Sequence, residues 1–323
     1  MIHGAMALAL NMLTAWILSF VVALCIVSIM SRYARSPSVP FQAVAKRRLL
    51  WSLVTIPWLA SIVSVALLLL PEMMQPRMSW LYARAHFHHV YEFVFFSWHG
   101  LSLLLFCGFF LVLFSRKLRR AVMTSLDLYQ LDYFSETCSA NNSISVLQTD
   151  LPLAFTSGLL RPKVYVTTGL VENLTAQERD IIERHELAHA KRFDPLLKYL
   201  FSLFAAFFPR AIEARLNRTM ALAIEQDADE TVLKQVRDEA LISKTILKVV
   251  RLCNEHNVRN RPSLVSCQFV GDQLQQRIQY LMNEGQRRSF PLRSFTLLAC
   301  FLVVSSAVSV DLFHHGIERV FSH

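Results

Sequence analysis

Four apolar runs, at about residues 7–30, 49–70, 93–114 and 292–310, restrict this 323-residue chain more than any other feature. Each is close to the roughly 20 apolar residues needed to cross the hydrocarbon core of a bilayer. Lipid offers the backbone no hydrogen-bond partners, so such runs are expected to be helices that pair their own N–H and C=O groups. The apolar fraction of 54% places the chain in the membrane class. The first run is too long for the core of a signal peptide and lacks a basic stretch before it, so it is expected to remain as an anchor.

Basic residues set the expected orientation. Arg32, Arg35, Lys46, Arg47 and Arg48 follow the first run with no acid among them, whereas only Arg77 and Arg84 follow the second, beside Glu72. Arg116, Lys117, Arg119 and Arg120 follow the third run, and Arg287, Arg288 and Arg293 precede or open the fourth. This predicts both termini outside and the body in the cytoplasm. It divides the chain into a three-helix membrane region (1–115), a cytoplasmic domain (116–291) and a fourth span with a short tail (292–323). The net charge of +9 resides in these flanks. No basic patch interleaved with aromatics suggests direct nucleic-acid binding. Cys138, Cys253 and Cys267 fall in the cytoplasmic part without a CxxC spacing, which argues against disulfides and a cysteine metal site.

Within the cytoplasmic part, His185-Glu186-Leu187-Ala188-His189 reads His-Glu-x-x-His. Residues four apart share one face of a helix, so both imidazoles can hold one metal ion and Glu186 can reach a water upon it. Zinc suits imidazole with carboxylate, and a catalytic zinc leaves one position open for water. The alternative is a chance match on a surface helix. Thr175-Ala-Gln-Glu178 matches a capping box, so the helix is expected to begin at Thr175, turn Ile181 and Ile182 inward and carry the motif near its end. Asp194-Pro195 reads as an N-cap followed by a first-turn proline, with a hydrogen bond from a zinc histidine to Asp194 as the alternative.

Two histidines need a further protein ligand. A helical pattern over 211–233 contains Glu225-Gln226-Asp227-Ala228-Asp229-Glu230, where Glu225 and Asp229 share a face and Ala228 is small enough for close helix approach. One carboxylate, Glu225, is expected to bind metal, and the other, Asp229, to fix an imidazole through its second ring nitrogen. A solvated acidic face is the alternative. Upstream, 143–148 and 163–167 read as strands with Gly158 and Pro162 between them. They form either an edge for an extended peptide or a supporting sheet. A short amphipathic helix is expected at 121–132. The apolar stretch 196–208 is too short to span and is expected to lie at the membrane interface or against the spans, halted by Pro209. His99 in the third run is expected to be hydrogen-bonded between helices beside Gly100.

Pro152-Leu-Ala-Phe155, Gly158-Leu-Leu-Arg-Pro162, Val164-Tyr165-Val166, Gly169-Leu170, the His-Glu-x-x-His with its trailing Asp194, Glu225-x-x-Ala-Asp229-Glu230 and Leu274-x-x-Arg277-Ile278 together resemble the BlaR/MecR-type membrane metallopeptidases over about 143–282. The resemblance implies an α-helical integral membrane protein of a bacterial cytoplasmic membrane, with a cytoplasmic α+β gluzincin-like zinc peptidase domain. It implies that His185, His189 and Glu225 bind Zn2+, that Glu186 is the general base and that Asp229 supports a ligand. It also implies signal-dependent cleavage of a protein substrate, such as a cytoplasmic winged-helix repressor. Only Asp311–His323 follows the fourth run, without the penicillin-binding sensor and Ser-x-x-Lys motif of the antibiotic sensors. A likeness to the HtpX and CAAX prenyl protease group keeps a quality-control protease open as an alternative, and a sensor with a structural metal site is another. Tyr165, Asn217 and Arg218 are open choices for an oxyanion donor. On the outer side, His86, His88, His89, His314 and His315 have spacings suited to a transition metal or a pH-responsive cluster, or they anchor helix ends beside Trp80, Tyr82 and Tyr91. The oligomeric state is not legible.

Overall fold

Helices α1 (Ala5–Tyr33), α2 (Ala43–Met73) and α3 (Trp98–Tyr133) carry the first three apolar runs, each long and apolar enough to cross a membrane. The computed structural model describes residues 1–33, 41–73, 91–133, 135–137, 144–260, 264–283, 289, 296–306 and 308. α1 and α2 pack along each other through Ala23, Val27 and Val54, while Trp16, Phe20, Trp58 and Phe106 interlock across the three helices. Some hydroxyls within the spans are satisfied by their own helix: Thr14 donates to the Leu10 carbonyl and Ser64 to that of Ala60. A two-stranded ribbon of β1 (Ile2–His3) with β2 (Glu92–Phe93) ties the start of α1 to the approach of α3. His99 packs against Trp98 and Phe93. α3 runs unbroken to Tyr133, so the separate helix expected at 121–132 is a continuation of the third span.

A four-stranded sheet follows: β3 (Ser135–Thr137), β4 (Ile144–Leu147), β5 (Ala154–Ser157) and β6 (Lys163–Thr167), in the order β3-β4-β6-β5. β4 and β6 pair in parallel, and the other pairs are antiparallel. The sequence signals found β4 and β6 but not β5, which has only four residues and no clear alternation. β5 closes on Gly158 at φ +105°, where a Cβ would stand 2.5 Å from the Arg161 carbonyl oxygen. One edge of the sheet is therefore β5.

After the short α4 (Thr168–Val171), Thr175 caps α5 (Ala176–Lys191) with both halves of the expected capping box formed. α6 (Asp194–Ala205), α7 (Arg210–Val236), α8 (Glu239–Asn260) and α9 (Leu264–Met282) complete the body, and Thr296–Ser306 forms an apolar helix, α10, in the fourth run. The core does not stop at the membrane region. Val27, Leu50 and Val54 of the spans, Phe201 of α6, Met220 and Ile224 of α7, and Leu302 of α10 belong to one buried cluster. The stretch 196–208 thus lies against the spans, with Trp51 edge-on to Phe201 at 5.5 Å. Pro209, lacking an N–H, separates α6 from α7 as its N-cap. A second cluster joins Ile181 of α5 to Val232, Ile242 and Leu281, and a third packs Val164 and Val166 against Ile182.

Candidate metal centre

α5 and α7 approach closely where alanines replace larger side chains, Ala188 on one and the fully buried Ala228 on the other. The approach brings one turn of each helix together, His185 and His189 facing Glu225 and Asp229. His185 Nε2 and His189 Nε2 are 3.1 Å apart, and the Glu225 carboxylate lies 3.3 Å from the first and 3.7 Å from the second. Neighbouring donors around a tetrahedral zinc at ~2.05 Å stand ~3.3 Å apart, so the three side chains fit such an ion without rearrangement. Each offers one candidate ligand atom within 4.8 Å of the others, close enough for the three to hold one metal ion.

The far ring nitrogens explain why the imidazoles point as they do. His185 Nδ1 lies 3.0 Å from Asp229, and His189 Nδ1 lies 2.8 Å from Asp194. When Nδ1 donates to a carboxylate, a neutral ring turns its Nε2 lone pair inward. Two such lone pairs 3.1 Å apart repel unless a cation lies between them. Burial lowers the basicity of His185, but its hydrogen bonds to Asp229 and Glu225 outweigh burial and raise its pKa to about 9. In His189, burial is likewise outweighed by the Asp194 and Glu225 hydrogen bonds. The pocket thus attracts positive charge at the position the metal would fill.

Asp194 departs from the N-cap role expected of it. The N-cap of α6 is Phe193, in the left-handed region at φ 55° and without a side-chain cap. Asp194 sits at the first helical position, 1% exposed, and spends its oxygens on His189, Arg192 and Arg47. Burial raises its pKa, but the hydrogen bond from His189 and the charges of Arg192 and Arg47 hold it below the usual carboxylate range. A buried carboxylate among three basic groups gains more from them than from two backbone N–H donors.

Arg47 and Arg277 complete the surroundings, and neither had been assigned a role from the residues. Arg277 of α9 donates through Nε and one Nη to both oxygens of Asp229 at 2.8 and 2.7 Å, and its other Nη lies 3.5 Å from Glu225. Arg47, at the start of α2, bridges Asp227 and Asp194. Glu186 is held from the edge strand: the Thr156 hydroxyl of β5 lies 2.9 Å from its carboxylate and 2.8 Å from its carbonyl oxygen. Thr156, Glu186 and Arg277, with the two histidines and Glu225, border a cavity of about 340 Å³ that also takes in Phe155 and Lys198. Lys198 reaches Glu225 at 3.4 Å. Tyr165, Asn217 and Arg218 do not line this cavity, and Tyr165 instead stacks on Phe155 at 5.3 Å. His86, His88, His89, His314 and His315 lie outside the described residues.

A membrane-embedded helical bundle continuous with an α+β body, and a His-Glu-x-x-His helix facing a glutamate, together define a gluzincin-like zinc peptidase. The chain belongs to the BlaR1 peptidase M56 family, whose model matches residues 81–281, more than half of the chain. It is accordingly a multi-pass membrane zinc endopeptidase of the regulatory, antirepressor-like type. No curated protein matches the chain.

Proposed function

We propose that the site cleaves a protein held against β5 on the cytoplasmic side of the membrane, with a repressor-type regulator as substrate. The observation that carries this reading is the Thr156–Glu186 contact, which places the edge strand beside the carboxylate that would move the proton. An extended peptide added to β5 would run past Glu186 and the metal position, held by main-chain hydrogen bonds. His185, His189 and Glu225 would hold zinc, with Asp229 and Asp194 fixing the two rings. When bound, zinc supplies Lewis acidity, acidifying a water and polarising the scissile carbonyl. Glu186 would act as general base toward the attacking water and pass the proton on to the leaving amine. The Thr156 hydroxyl keeps the Glu186 carboxylate turned toward the cavity, and Lys198 at the cavity rim faces the developing negative charge.

The orientation is part of the proposal. The C-terminal end of α1, the end of the apolar span within α3 and the N-terminal end of α2 all meet the peptidase body: Arg215 contacts the Ser31 carbonyl, Lys117 pairs with Glu213, and the Ala43 N–H donates to Tyr280. These ends carry the basic flanks, which favours the cytoplasm for that face and for 116–291. A fourth span over 292–310 would then return the tail to the outside. Movement of α2 would reach His189 through Arg47 and Asp194. Proteomics of cells carrying wild-type or Glu186→Gln protein tests the substrate class: one regulator fragment that depends on Glu186 supports it, and generalised accumulation of damaged membrane proteins favours quality control instead.

A further inference from the structure

A second cavity, of about 780 Å³, lies away from the metal centre, beneath α3 and against α1 and the connection from α6 to α7. Its volume falls within the roughly 300–1,000 Å³ of ligand sites. Leu24 of α1, Phe109 and Leu113 of α3 and Phe207 make its walls apolar. Arg116 on α3 and Arg210 on the first turn of α7 line it as well. Among the described residues neither arginine has an ion-pair partner, whereas the neighbouring Lys117 is paired with Glu213 at 3.2 Å. Ser28 is 8% exposed, lines the same cavity, and its hydroxyl has no hydrogen-bond partner. α3 is also the loosest span: 11% of its apolar window is buried, against 44% for α1 and 39% for α2.

We propose that this cavity is a binding site for one anionic glycerophospholipid. Its acyl chains would lie along the apolar walls and its phosphate between Arg116 and Arg210. A void at membrane depth with apolar walls takes lipid, and cations at its end select an anionic headgroup. Arginine presents the planar donor fork suited to a phosphate. The Ser28 hydroxyl would gain a partner in the glycerol ester region. The occupant would fill the gap that leaves α3 loosely held and would join it to the end of α6, the helix whose first residue holds His189. The leaflet assignment rests on the orientation proposed above, whereas the site itself rests on the cavity and its cations.

The test uses the full chain purified and exchanged into phosphatidylcholine nanodiscs with graded phosphatidylglycerol, and lipids retained per chain are counted by native mass spectrometry. Wild type should retain one phosphatidylglycerol in preference to phosphatidylcholine. Each cation is worth about fivefold, so Arg116→Gln with Arg210→Gln should weaken that retention roughly 30-fold. A control with the same charge loss on the same face, Arg48→Gln with Arg119→Gln, should bind as wild type does. Equal retention by the cavity variant and wild type, or equal retention of the two lipids by wild type, overturns the proposal. Zinc content and peptide hydrolysis are read separately on the same samples, so a failure of the lipid site is distinct from a failure of the peptidase reading.

Discussion

Arg47, at the start of the second span, stands 3.3 Å from Asp194, the carboxylate that receives His189 Nδ1 at 2.8 Å. Its other Nη meets Asp227 of α7, so one guanidinium joins a membrane helix to both sides of the metal centre. A planar fork holds two separated N–H groups at fixed positions toward the two carboxylates, whereas an ammonium is a compact point charge without that fixed geometry. Arg47→Ala and Arg47→Lys should both release zinc about tenfold faster than wild type, as expected when the partner of a ligand-orienting group is lost. Arg48→Ala, on an exposed neighbour, should not. Competition with a chromophoric chelator measures the rate, and wild-type release from Arg47→Ala would remove Arg47 from the account.

The carboxylates behind the two rings should differ in what their loss does. Asp194→Asn and Asp229→Asn should each lower zinc affinity by about 10- to 100-fold. Asp229→Asn also leaves the Arg277 charge without its bidentate partner, a loss of about 3 kcal/mol or more in a buried site. Thermal unfolding of metal-free protein should therefore show a large drop for Asp229→Asn and Arg277→Met and a smaller one for Asp194→Asn, which leaves Arg47 and Arg192 with Asp227.

Thr156→Val keeps the shape of the side chain and removes the donor to Glu186. Hydrogen bonds to charged groups are worth about 1.5–3 kcal/mol, so kcat should fall tenfold or more while zinc stoichiometry stays at the wild-type value. An unchanged kcat would mean that the contact does not position Glu186 during turnover.

The helix bearing the motif depends on its cap. Thr175→Ala should cost about 1 kcal/mol. The Lys248 hydrogen bond, followed by the bonds from Thr175, lowers the Glu178 pKa. Since the folded value lies below the unfolded ~4.3, this stabilisation is present above that pH and is lost as pH falls through the folded value. Unfolding temperatures of Lys248→Met and wild type should therefore differ at pH 6 and converge in strong acid.

Periodicity and local chemistry made much of this legible. The apolar runs, the capping box at Thr175 and the four-residue spacings of His185 with His189 and Glu225 with Asp229 are short-range patterns, and a helix converts each into a face. What the sequence concealed depends on contacts between distant segments. Arg47 and Asp194 are 147 residues apart, and nothing local distinguishes Arg47 from Lys46 or Arg48 as the residue that turns inward. Asp194-Pro195 carries the local signature of an N-cap, yet the neighbouring His189 and Arg192 and the distant Arg47 claim its oxygens. β5 was missed because four residues with Ala154 and Ser157 at the ends give little strand signal, although Pro152–Phe155 stood out in the family resemblance. Arg277 likewise stood out as a motif residue, without a partner to give it a role.

The most direct test of the central claim is zinc stoichiometry and peptide hydrolysis measured side by side on the full chain in lipid, for wild type, Glu186→Gln and Glu225→Ala. Wild type should hold about one zinc per chain and hydrolyse peptide. Glu186→Gln should keep the metal and lose hydrolysis, and Glu225→Ala should lose both. Hydrolysis that survives in Glu186→Gln, or full zinc retention by Glu225→Ala under mild chelation, would contradict the assignment of this cluster as the catalytic centre.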